Sequence, residues 1–243
     1  TQRLRDAINK NVSEEDLLRA VNLAFSGGKS AVKLYFMEGL PTETMEDIAG
    51  IAALAKKVVD AYYKCENRNR ARGITVTVSV SCFIPKPFTP FQWEAQDDIP
   101  LLEEKQQYLR ECITDKKIKY HYHDAKVSRV EAVFARGDRR LSKAIRKAAE
   151  EGIMFDAWSE YFDYDRWLRI FEETGIDPAF YANRTFGLDE WLPWDIIDCG
   201  VSKAYLLNER KKAYEARTTP NCAEHCNGCG ADKLGGNCRW CKR

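Results

Sequence analysis

The chain has 243 residues, of which 44% are hydrophobic and 31% charged, and its 38 Lys and Arg nearly cancel 37 Asp and Glu to leave a formal net charge of +1. That size and apolar content support one large domain, or a domain with an appendage, around a real core. The charge balance offers no polyelectrolyte argument for nucleic acid, and no apolar run approaches the roughly 18 residues of a membrane span.

The chain opens on Thr1-Gln2-Arg3-Leu4-Arg5-Asp6, which reads as the middle of an element and carries no Met, so a fragment is expected. Ser13-Glu14-Glu15-Asp16 has the pattern of a capping box, followed by Leu17, Leu18, Val21, Ala24 and Phe25 at helical spacing until Gly27-Gly28. Ala31-Val32-Lys33-Leu34-Tyr35-Phe36 predicts a strand buried on both faces. Thr42 or Thr44 then caps a long helix through Ile48, Ile51, Leu54, Val58 and Val59, and a β-branched run from Ile74 to Val80 predicts a second strand. Helix, strand, helix, strand is the rhythm of a parallel sheet with right-handed crossovers. The segment from Phe83 to Trp93 holds three prolines and must be an ordered aromatic loop at a strand's C-terminal end. Beyond it the patterns predict a helix over 99–116, a strand over 117–124, helices over 126–136 and 139–151, an aromatic-rich helical region, a Trp191-Leu192-Pro193-Trp194 turn and a last helix over about 202–216.

Five of the nine cysteines fall in the last twenty-two residues, as Cys222-x3-Cys226-x2-Cys229-x8-Cys238-x2-Cys241. Two close-spaced thiol groups joined by a Gly-rich stretch can point their sulfurs at one centre, so the tail reads as a metal site, for zinc or an iron–sulfur cluster. His225 could replace one sulfur, although its place between two ligands makes it the poorer fourth arm. A disulfide knot is the competing reading. Against it, no signal peptide is present and Cys65, Cys82, Cys112 and Cys199 sit in ordinary helix or strand sequence, as in a reducing cytosol, so a cytoplasmic protein is expected.

Gly39-Leu40-Pro41-Thr42-Glu43-Thr44 and Ser81-Cys82-Phe83-Ile84-Pro85-Lys86-Pro87 stand at strand C-terminal ends, where parallel α/β sheets carry ligand groups. Together with Thr1 to Lys10, the block Phe134-Ala135-Arg136-Gly137-Asp138-Arg139-Arg140-Leu141, Phe155-Asp156-Ala157-Trp158 and Leu192-Pro193-Trp194, they resemble the second half of a radical S-adenosylmethionine (SAM) protein, of the uncharacterised Fe–S oxidoreductase family in which a B12-binding domain precedes the barrel. The resemblance implies an α/β fold: the C-terminal half of a partial (β/α)6 barrel over 1–93, a mainly helical extension over 94–217 and the Cys-rich tail over 218–243. It implies that the Cys-x3-Cys-x2-Cys loop holding the [4Fe–4S] cluster lies upstream of Thr1, with a cobalamin-binding domain, and that both belong to the partners of this half. Of the S-adenosylmethionine pocket it leaves Thr1 and Lys10 near the ribose and methionine carboxylate, Gly39 and Leu40 beside the adenine, and Phe83 and Ile84 over its face. Lys10 stands where related families often place an arginine.

Cys222, Cys226 and Cys229 repeat the three-cysteine spacing of that cluster loop, but they follow the sheet instead of opening it, Gly228 replaces the usual aromatic, and two more cysteines lie close by. Four or more thiolates close a site that radical chemistry needs open. Three further groups have structural readings beside functional ones. His121 and His123, followed by Asp124, alternate on one face of a strand and could bind metal or form a half-exposed face. Asp138 among Arg136, Arg139 and Arg140 could clamp an anion or cap a helix. The aromatics from Trp158 to Trp194 could stack bases, but without a basic excess they read as core. The alternative to an enzyme fragment acting on an unknown substrate is a zinc-bound α/β module that presents its tail to RNA or a protein, or an interaction protein without chemistry.

Overall fold

A computed structural model describes residues 1–234, so Cys238 and Cys241 of the expected metal set lie outside the described residues. The described chain divides into two compact units, neither of them continuous in sequence.

The first unit comprises Thr1–Phe83, Pro100–His123 and Lys211–Pro220. Its centre is a parallel sheet of β1 (Ala31–Glu38), β2 (Thr75–Cys82) and β3 (Ile118–Tyr122) in the order β1-β2-β3. The parallel pairing expected of the first two strands is present, with Ala31 opposite Thr75 and Glu38 opposite Cys82. Helix α1 (Gln2–Ala7) starts on Thr1, whose hydroxyl caps it. Helix α2 (Glu14–Ser26) has the capping box in which Ser13 and Asp16 satisfy each other's backbone donors. Thr44, rather than Thr42, caps α3 (Met45–Lys64), which connects β1 to β2, and a second capping box closes on Asp47. Ile48, Ile51, Ala52, Ala55, Val58, Val59 and Tyr62 repeat every three or four residues along α3, so one stripe packs on the strands' Leu34, Val76, Val78 and Val80. Leu109 of α4 (Ile99–Cys112) completes this core.

One expectation for β1 fails. Leu34 and Glu38 are buried on the helix side, but Lys33, Tyr35 and Met37 are exposed, so the strand is covered on one face only. Side chains alternate across a strand, and the helices of this unit cover the even-numbered face of β1.

The second unit comprises Ile84–Ile99, Asp124–Arg210 and the described residues from Asn221. Helices α5 (Ala125–Ala135), α6 (Ser142–Glu150), α7 (Tyr164–Glu173) and α8 (Pro178–Ala182) enclose Val130, Val133, Leu141, Ala144, Ile170, Phe171 and Tyr181. A second cluster holds Trp93, Phe186, Leu192 and Trp194 with Leu206 of α9 (Lys203–Tyr214), and the Trp194 indole donates to Gln92 Oε1 at 2.7 Å. The three-proline loop is thus pinned by its aromatics. Asp138 caps the 3-10 turn before α6, its structural reading. Arg136 instead is fully buried, donating to the carbonyls of Ala182 at 2.9 Å and Arg184 at 2.7 Å, with its guanidinium 4.0 Å from the Phe186 ring centre. The reading of the aromatic stretch as core holds for Trp167, Phe171 and Trp194 and fails for Trp158, Tyr161 and Trp191, which are exposed. No helix among the described residues is long and apolar enough to cross a membrane.

Candidate functional site

At the C-terminal end of β1, Gly39 takes φ +78°, a left-handed turn open to glycine, and the chain folds back so that Glu43 Oε1 accepts from the Gly39 N–H at 2.7 Å. Lys105 holds the same Glu43 oxygen at 2.8 Å, a pair in which both side chains are shielded from water. Thr42 has φ +70°, a rare conformation for a β-branched residue, and Arg3 donates to its hydroxyl and its carbonyl. Arg3 and Thr1 both reach Asp47, the residue that closes the α3 cap. Backbone held in so unfavourable a region by surrounding contacts is typical of ligand sites.

Beside this turn lies a cavity of about 310 Å3, whose lining includes Thr1, Lys10 and Leu40 together with Arg5, Tyr35 and Met37. Three of the six residues expected at the cofactor, Thr1, Lys10 and Leu40, therefore meet in one cavity. Gly39 supplies the turn beside it. Phe83 is buried where its N–H donates to the Glu38 carbonyl at 2.7 Å, and Ile84 packs into the core of the second unit with Val130 and Val133; neither lines the cavity. Arg5, which the sequence reading did not single out, does: its Nε is buried without a hydrogen-bond partner among the described residues, while its terminal nitrogen donates to Gln2. The i, i+5 relation of Arg5 and Lys10 brings no helical-face signal, because α1 ends between them.

Beneath the turn on the helix side is a second missed residue. Glu38 is fully buried and accepts from Gln106 Nε2 at 2.7 Å and from the Cys82 thiol, while its Oε2 has no hydrogen-bond partner among the described residues. Burial, opposed by those two hydrogen bonds, raises its carboxyl to about 7. The Tyr120 hydroxyl, likewise buried and without a hydrogen-bond partner among the described residues, is pushed above its ordinary range by burial and then by Glu38. The signal in the sequence was period two: Val32, Leu34, Phe36 and Glu38 share a face, so an acid ends a buried row.

His121 is exposed on the other face of the sheet, and His123 is exposed just past β3, with its N–H donating to the Val80 carbonyl at 2.9 Å. Asp124 caps α5.

In the tail, the Gly228 N–H donates to Cys226 Sγ at 3.3 Å, the bond a two-residue thiol knuckle makes to its first sulfur. Gly228 and Gly230 have φ +71° and +97°, and a Cβ on Gly230 would stand 2.8 Å from the Gly200 carbonyl, so the knuckle docks on the loop before α9. The Cys229 carbonyl accepts from Ser202 N there at 2.9 Å. Burial raises the Tyr205 phenol, and the charges of Glu209, Cys229, Cys222 and Cys226 raise it further. Among the described residues no three His, Cys, Asp or Glu side chains stand close enough to hold one ion. The three described tail thiols do not form a centre by themselves, and His225 is exposed.

The sequence is similar to the uncharacterised protein MJ0966 of Methanocaldococcus jannaschii, with 33% identity over 176 residues, which is 72% of this chain and 37% of that protein. The chain therefore spans little more than a third of the length of this relative. No family model matches the sequence. No solved structure matches it.

Proposed function

We propose that the first unit is the C-terminal half of a radical SAM barrel and that the complete protein is an iron–sulfur oxidoreductase of the kind that carries a cobalamin-binding domain upstream. The observation that supports this most is the sheet: three parallel strands with this unit's helices on one face and, among the described residues, no helix of this unit on the other face and no strand paired at the β1 edge. Parallel sheets occur almost only with both faces covered, and an unpaired edge is a template for another strand. Further β/α units joining at β1 answer both needs, and the length of the similar archaeal protein leaves room for them.

The donors at the cavity suit S-adenosylmethionine. Lys10 and Arg5, the latter with a buried N–H lacking an acceptor, would hold the methionine carboxylate; Thr1 would meet the ribose and Leu40 the adenine. When bound to its cluster, the cofactor supplies a carbon-centred radical. This chain's part is to fix the cofactor's polar groups and, through the strained Thr42 turn, to keep that wall of the cavity rigid. Phe83 and Ile84 take no part in the proposed site. The tail is a separate centre, in which Cys222, Cys226 and Cys229 with Cys238 and Cys241 bind zinc or an auxiliary iron–sulfur cluster; the knuckle hydrogen bond to Cys226 supports it, since an N–H aimed at sulfur stabilises the thiolate.

The test is anaerobic reconstitution with iron and sulfide followed by measurement of 5′-deoxyadenosine. The protein extended upstream through its Cys-x3-Cys-x2-Cys loop is expected to form it, and the 243-residue chain is not. Product from the short chain would move the radical cluster to the tail cysteines, and none from the extended protein would end the radical SAM reading.

A further inference from the structure

The bare face of the sheet has a composition of its own. Register and alternation place Ala31, Lys33, Tyr35 and Met37 of β1, Thr75, Thr77, Ser79 and Ser81 of β2, and Lys119 and His121 of β3 on this side. They form rungs across the strands: Lys33 opposite Thr77 and Thr77 opposite Lys119, then Tyr35 opposite Ser79 and Ser79 opposite His121. None of these ten residues is acidic, and five carry a hydroxyl. Lys33, Lys119 and His121 are exposed, and among the described residues none of the three is paired with an acid. The Lys33 ammonium lies over the Tyr35 ring at 5.0 Å, leaning along the strand toward the second rung.

A face built to dock another protein would be apolar at its centre and poor in lysine and serine, and a sheet that filled a barrel with core would carry layers of branched aliphatics. This one carries neither. We infer that the open sheet face binds an organic anion, a substrate bearing phosphate or carboxylate groups, between Lys33 and Lys119 and against the hydroxyls of Thr77, Ser79 and Tyr35. The two lysines stand two strand spacings apart, about 10 Å between backbones, which leaves one anionic group room between their flexible ends. Tyr35, Met37 and Ser81 also line the cavity described above, so a ligand on the rungs lies next to it. The inference deepens the barrel reading by naming the substrate class, and it rests on that reading for the claim that the anion is a substrate.

The chain has three histidines, so the imidazole signals of His121, His123 and His225 can be resolved by proton NMR in the 243-residue chain. At low ionic strength, titration with pyrophosphate in one arm and citrate in the other is expected to shift the His121 signal to saturation and leave that of His225 in place; the arm with the lower Kd identifies phosphate or carboxylate. The double variant Lys33→Gln, Lys119→Gln changes only exposed side chains and is expected to keep the wild-type circular dichroism while weakening the better anion at least tenfold. An unmoved His121, an equal shift of His225, or unchanged affinity in the double variant overturns the inference. A failed titration beside 5′-deoxyadenosine from the extended protein removes the anion site and leaves the barrel. Saturable binding without 5′-deoxyadenosine does the reverse.

Discussion

Glu38→Gln tests a fully buried carboxyl whose hydrogen bonds come from an amide and a thiol. Glu38 is fully buried and its carboxyl is raised from 4.5 to about 7, first by burial, with the Gln106 and Cys82 hydrogen bonds pulling the other way and Glu43 adding to the rise. A folded-state value above the unfolded one means that the folded chain binds the proton more tightly. Stability from this group is therefore complete below about pH 4.5 and is lost as the pH rises toward 7, after which the carboxyl is ionised in both states and the loss levels off. At about 1.4 kcal/mol per unit, the loss across that window is on the order of 3 kcal/mol. Glutamine copies the neutral acid: its Oε1 still accepts from Gln106, and its amide replaces the oxygen that has no partner. Urea denaturation of wild type and variant at pH 5, 6, 7 and 8 checks this. The two should be nearly equal at pH 5, and the variant should be the more stable by a few kcal/mol at pH 8. Every other carboxylate contributes equally to both proteins, so the difference belongs to Glu38. Parallel curves, or a variant that is weaker at pH 8, would refute the reasoning.

Arg136→Met should lower stability by about 2 kcal/mol or more, because the carbonyls of Ala182 and Arg184 lose their buried donor; a wild-type melting temperature would contradict it. Gly230→Ala meets the Gly200 carbonyl at a positive φ and should release the tail, seen as limited proteolysis beyond residue 220 with the rest intact. Metal analysis should find about one zinc per chain after aerobic purification, or a brown, oxygen-sensitive iron chromophore from anaerobic preparations, and Cys226→Ser should abolish either. Metal-free protein whose tail resists protease equally with and without chelator would dismiss the centre. In the extended protein, Lys10→Ala should raise the KM for S-adenosylmethionine more than it lowers kcat, since the ammonium is proposed to bind the cofactor and not the reacting carbon.

The elements that local physics governs were legible in the residues. The three- and four-residue spacing along α3, the β-branched run of β2 and the reciprocal Ser13–Asp16 cap each need only near neighbours to declare themselves. What the sequence could not reveal depends on partners distant along the chain. Ala31 to Phe36 reads as a doubly buried strand because its single charge is outnumbered, yet exposure is decided by what covers each face, and the helices of this unit cover only one. Glu38 becomes a perturbed acid only because the folded chain buries it, with Gln106 of α4 brought against it from some seventy residues on. Ile84, one residue beyond Phe83, turns into a different core, so a pair expected over one ligand is divided. Lys33, Thr77 and Lys119 are separated by more than forty residues at each step, and only parallel pairing in register makes them a row. Residue identity determined which groups could bind an anion, and the hydrogen-bonded register of the sheet decided that they stand side by side.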